Sequence, residues 1–102
     1  MSFTITNGSG FQLRLPNGWT VSVQFGAGNY GSNKDAGYTD ARGQSFWEAG
    51  TAEIACLPTE GNGKWYQFSN EPSSRTDVRG YVNVPEFLEW LEVFKNLPSP
   101  EV

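Results

Sequence analysis

The chain has 102 residues, a formal charge of −4, eleven carboxylates against seven Lys and Arg, no histidine and one cysteine. That length allows one domain, residues 1–102, and scattered cations under a net negative charge argue against general nucleic-acid binding, which needs clustered Lys and Arg. Without histidine the usual Ser or Cys triad and any histidine metal site are excluded, and a lone cysteine excludes an internal disulfide and a zinc-thiolate cluster. Aromatic residues make up 15% of the chain and all hydrophobics only 37%, so the core must lean on Phe, Trp and Tyr, each of which buries a large area.

In chain order, Phe3 and Ile5 alternate with Ser2, Thr4 and Thr6, which predicts a short first strand. No basic region or apolar run of signal-peptide length opens the chain, and no segment approaches a membrane span. A cytoplasmic protein of a bacterial cell, with no membrane partner, is therefore expected. The glycosylation sequon Asn7-Gly8-Ser9 then means nothing beyond a turn.

Gly10 to Tyr30 reads as the organising stretch. Phe11, Leu13 and Leu15 alternate with polar residues, as do Trp19, Val21, Val23 and Phe25. Both runs have the period of a strand with one buried face. Pro16-Asn17-Gly18 between them supplies a fixed φ and then residues that accept positive φ, which predicts a hairpin turn and completes a three-stranded meander.

From residue 26 to 50 the pattern dissolves into a Gly- and Asn-rich stretch whose polarity only Phe46 and Trp47 break. A structureless loop of that length is functional, mobile or partly misread. Its first residues spell a literal G-x-G-x-x-G, Gly26 to Gly31. The dinucleotide reading requires a helix to follow, and residues 32 to 43 hold two further glycines and no apolar stripe, so it is rejected. A weaker anion-binding reading remains, with backbone N–H groups turned to one anion, Tyr30 and Tyr38 stacking on a base, and Lys34 or Arg42 answering a phosphate. Against it stands the plainer reading, in which the glycines only serve turns.

Thr51 to Leu57 returns to strand character with Ala52, Ile54 and the buried-looking Cys56 on one face. Pro58 to Gly63 is a loop by composition, and Trp65 to Phe68 follows as an aromatic strand closing a second hairpin. Ser69 to Asp77 is a connector, and Val78 to Val82 is either a short strand or an extended lead-in. Asn83 with Glu86 three residues on, and Pro85 between, predicts a capping box opening a helix over 84–96. Val84, Phe87, Leu88, Leu91 and Phe94 form its apolar stripe, Trp90 and Val93 widen it, and Glu86, Glu89, Glu92 and Lys95 cover the other side until Pro98 and Pro100 end it. The assembled expectation is an α+β fold of about five antiparallel strands, a meander plus a hairpin. One C-terminal amphipathic helix packs on the face carrying Trp19, Val21, Val23 and Phe25.

For catalysis Asp35 with Asp40, or Glu48 with Glu53, could supply a carboxylate pair, yet acids at such spacing are ordinarily solvated surface. The acidic row Glu86, Glu89, Glu92 could imitate phosphates or meet a basic partner, and is more simply the wet side of a helix. Arg75 and Arg79 frame the connector as a possible anion site or as ordinary exposed arginines. No cofactor, no metal and no enzymatic activity are expected.

The segments Gly10 to Tyr30, Ala52 to Ala55, Gly63 to Phe68 and Val78 to Leu91 together resemble a group of small proteins encoded by bacteriophages and prophages. That group carries a cysteine after its Gly-Asn-Tyr where this chain has Gly31, and it has no activity to transfer. The resemblance implies a phage accessory protein acting by binding, in counter-defence: it would inhibit a host defence protein, in the manner of an anti-CRISPR, or sequester a nucleotide-like immune signal. For the signal the expected contacts are Gly28, Asn29, Tyr30, Asn33, Tyr38 and Arg42, at an interface between copies of a homo-oligomer. The alternatives are a minor virion or assembly protein and, behind it, a carboxylate- and metal-dependent hydrolase.

Overall fold

The computed structural model describes residues 2–5, 10–25, 49–68 and 76–100. Among them are five strands, β1 (Ser2–Ile5), β2 (Gly10–Arg14), β3 (Trp19–Gln24), β4 (Ala52–Pro58) and β5 (Arg79–Val82), followed by one helix, α1 (Val84–Lys95). The strands form one antiparallel sheet in the order β1-β2-β3-β4-β5, each beside its predecessor in sequence. The fold is α+β, with the expected three-stranded meander over the first twenty-five residues.

Register puts the apolar halves of the strands on one face. Val21 lies opposite Leu13 and Cys56, and Val23 opposite Phe11 and Ile54, so the period-2 residues of neighbouring strands meet on one side of the pleat. Val21, Val23, Ile54 and Cys56 are buried there together with Phe94 of α1, and Phe87 and Leu91 pack against them. The expected docking of helix on sheet is thus found. Burial pushes the Cys56 thiol up to about 12, which disfavours the thiolate a nucleophile needs.

The second hairpin is not formed as expected. Trp65 to Phe68 belongs to no strand, and the partner of β4 is β5, the segment read as a strand or a lead-in. Tyr66 still donates its N–H to the Cys56 carbonyl (2.8 Å), and Phe68 donates to the Thr76 carbonyl (2.7 Å). The aromatic run is extended and anchored, and it spends its rings on the helix. The Tyr66 ring meets Phe94 at 5.4 Å, and that of Phe68 meets Trp90 at 4.9 Å, both edge to face, the arrangement ring quadrupoles favour.

The turn between β2 and β3 uses its residues differently from expectation. Gly18 is left-handed at φ +92° while Asn17 is not, so Pro16 to Gly18 is a three-residue hairpin loop closed by Leu15 N–H to the Trp19 carbonyl at 2.8 Å. The Asn17 side chain is left free to reach across the molecule. Its Nδ2 donates to the carbonyls of Phe94 (2.9 Å) and Leu97 (3.1 Å), and its Oδ1 accepts from Trp19 N–H (3.2 Å). Trp19 Nε1 adds a bond to the Pro98 carbonyl at 2.8 Å. A helix leaves its last carbonyls without intrahelical partners, and here the hairpin adds a donor to that of Phe94, which Leu97 N–H also meets, and to those of Leu97 and Pro98 just past the helix.

At the other end of α1, Asn83 Oδ1 accepts from the Glu86 N–H at 2.9 Å, one half of the expected capping box. The Glu86 carboxylate does not complete it. Its Oε2 accepts instead from Arg79 Nε and, at 3.0 Å, from Trp90 Nε1, tying β5 to the helix. The helix ends at Lys95 with Asn96 as its cap, before the prolines are reached.

Candidate ligand-binding cavity

Beneath the first half of α1 the sheet and helix diverge around a cavity of about 330 Å³. Its floor is made by Phe11, Val23 and Ile54 from three adjacent strands, which the register places side by side. Phe25, just past the end of β3, stands 6.2 Å from Phe11 with the rings tilted by 50°. The helix contributes Val84, Phe87 and Leu88, one turn apart along the same flank. Val23 and Ile54 are buried, whereas Val84 and Leu88 remain 65% and 58% exposed. Two of the three floor residues are closed to solvent and the helical wall is exposed.

No charged side chain is among the described residues that line the cavity, and Thr51 and Asn83 supply its polar side chains. A phosphate or carboxylate pushed to the floor would lose its water with no cation to meet it, a cost of several kcal/mol. A neutral ring or branched aliphatic group loses little and covers apolar surface at about 25 cal/mol per Å². The lining therefore suits an uncharged, apolar group better than an ionised one, and the volume falls in the size range of ordinary small-molecule sites.

The expected ligand contacts Gly28, Asn29, Tyr30, Asn33, Tyr38 and Arg42 all lie outside the described residues, as do Lys34, Asp35, Asp40, Glu48 and Arg75. The described chain stops at Phe25 and resumes at Ala49, and both residues line the cavity. Of the long loop expected over 26–50, only its last two residues are thus placed, and they are part of the cavity rim. Sequence reasoning assigned Phe11, Phe25, Val84, Phe87 and Leu88 to the core and missed their shared cavity. The available signal was an apolar helix flank that begins with Val84 at the first turn, wider than one face needs.

Two of the acids in the helix row are paired locally. Arg79 pairs with Glu86 and lies 5.9 Å from the Trp90 ring centroid. The Arg79 hydrogen bond, with a smaller one from Trp90, holds the Glu86 carboxyl below its ordinary range despite partial burial. Glu92 pairs with Lys95 at 2.8 Å on the surface. The acidic row is thereby reduced to the exposed Glu89. Among the described residues, no helix is long and apolar enough to cross a membrane.

No protein-family model and no solved structure matches the chain. A β-lactamase of Streptomyces albus G is 43% identical to it over 49 residues, 48% of this chain, and the matched stretch spans 13% of that enzyme.

Proposed function

We propose that the chain works by non-covalent binding, with the cavity under the first half of α1 seating the neutral apolar end of its ligand. The observation that carries this reading is a concave, aromatic-rich wall of about 330 Å³ without a charged side chain among its described lining residues, left open by a helix flank whose Val84 and Leu88 are more than half exposed. The biological setting we propose is phage counter-defence, on the strength of the resemblance to small phage-encoded proteins. In that setting the occupant is the base of a nucleotide-like immune signal, its phosphates outside the cavity, or an apolar side chain of a host defence protein.

Thermal unfolding in the presence of cyclic and ADP-ribose-derived nucleotides and of neutral ring compounds tests this. A ligand at a hundredfold its Kd adds about 2.7 kcal/mol to stability. Leu88→Lys, at an exposed position, should abolish the shift while leaving the midpoint of the free protein in place. A flat response across the panel, together with no enriched partner on affinity isolation from host lysate, would overturn the proposal.

A further inference from the structure

Three Asn-Gly pairs occur in the sequence, Asn7-Gly8, Asn17-Gly18 and Asn62-Gly63, and the fold treats the two described ones in opposite ways. An asparagine followed by glycine is chemically exposed because glycine has no side chain to shield its backbone nitrogen or to restrict its approach. Asn62 sits in the turn between β4 and Tyr66, flanked by Gly61 at φ +76° and by Gly63. It is exposed, and its side chain makes no hydrogen bond to any described residue. Asn17 has its Nδ2 held by the carbonyls of Phe94 and Leu97 and its Oδ1 by Trp19 N–H, while the neighbouring Gly18 N–H is engaged by the Leu15 carbonyl at 3.3 Å.

We infer that Asn62 is a site of spontaneous deamidation in the folded protein and that Asn17, the same dipeptide, is protected by its role in holding the helix. The Gly63 backbone nitrogen gives up its proton and attacks the Asn62 side-chain carbonyl carbon. The bond from that carbon to Nδ2 breaks, and ammonia leaves with the proton. A five-membered succinimide results, and water opens it at either carbonyl to give aspartate or isoaspartate. Only water is consumed, and no electron changes hands. Each event places a new carboxylate between Glu60 and Lys64, making the formal charge one unit more negative than −4.

At Asn17 the same reaction requires the side chain to leave two carbonyls and Gly18 N–H to leave a third group. The rate is therefore set by the fraction of molecules in which the turn has opened. Two hydrogen bonds of ordinary net strength imply suppression of at least about tenfold relative to Asn62.

Peptide mapping by mass spectrometry of the intact chain, incubated at mildly alkaline pH with and without denaturing urea, decides the matter. The expected result is a gain of one mass unit in the peptide holding residue 62 of the folded protein, with residue 17 converting at a comparable rate only in urea. Asn62→Gln should remove the early conversion and leave residue 17 unchanged. Conversion of Asn17 as fast as Asn62 in the folded protein, or an Asn62 that converts no faster than Asn17, would overturn the inference.

Discussion

The two ends of α1 are built on opposite principles although one apolar stripe runs through both. At the C-terminal end Phe94 is fully buried among Tyr66, Phe68 and Trp90, and its carbonyl and those of Leu97 and Pro98 accept from Asn17 and Trp19 of the first hairpin. At the N-terminal end Val84 and Leu88 face an open cavity. The difference teaches that amphipathic period fixes which side of a helix faces the sheet, whereas contact along its length depends on what the sheet offers beneath each turn. Stability is concentrated at one end, and the other is left with apolar surface to spend.

The largest test of that contrast sets Phe94→Ala against Leu88→Ala in urea unfolding. The first should cost about 3–5 kcal/mol and the second no more than about 0.5 kcal/mol. Equal losses would mean that the helix is seated evenly and that the cavity is closed. Next in size is Asn17→Ala, which removes the turn's hold, takes the Asn17 donor from the Leu97 carbonyl and leaves that of Phe94 with the longer Leu97 N–H bond at 3.3 Å. A loss of about 2 kcal/mol is expected, and hydrogen exchange should rise in the last turn of α1 before it rises in the first.

A smaller effect is expected from the Arg79, Glu86 and Trp90 group, which ties the helix to β5. Because the Glu86 carboxyl lies below its ordinary range when folded, its contribution is present above the unfolded pKa and is lost as pH falls through the folded one. Glu86→Gln should lower stability at neutral pH by about 1 kcal/mol, as for a partly exposed pair, and should flatten the acid limb of a stability–pH profile. An unchanged limb would show that the pair contributes nothing. The smallest change is at Tyr81, whose φ of +54° is unusual for a bulky residue and whose side chain is 57% exposed. Tyr81→Gly relieves that backbone and should be neutral or stabilising by a few tenths of a kcal/mol, ~0.5 at most. A clear destabilisation would mean that the exposed ring supports the fold.

Most of the scaffold was legible in the sequence for identifiable reasons. Alternation in Phe11 to Leu15 and Trp19 to Phe25, with a Pro-Asn-Gly turn between, left one register consistent with a buried face. The helix announced itself through Asn83, Pro85 and a three-four repeat. Trp65 to Phe68 misled because aromatic runs carry strand propensity, while here tertiary packing sends Tyr66 and Phe68 to Trp90 and Phe94 and leaves most of the pairing edge of β4 to a short segment containing Gly80. The grip of Asn17 on Phe94 joins residues 77 apart, beyond the reach of any local pattern. The cavity was hidden for a related reason. Its floor is made of residues that read as ordinary core, and only the three-dimensional spacing of floor and helix leaves room between them.

The strict sequential order of the strands also bears on how the protein is made. Each strand can pair with the one already synthesised, so the sheet grows by hairpin closure from β1 onward, although β4 must wait for the long segment that follows β3. The helix that shields the sheet comes after every described strand. Until α1 has emerged from the ribosome, the face carrying Val21, Val23, Ile54 and Cys56 lacks the cover that Phe87, Leu91 and Phe94 give it. A nascent chain held at Val82 is therefore expected to bind a hydrophobic dye strongly, and one that extends past Leu97 weakly. For this fold, the interval between making β5 and completing α1 is when aggregation has its opening.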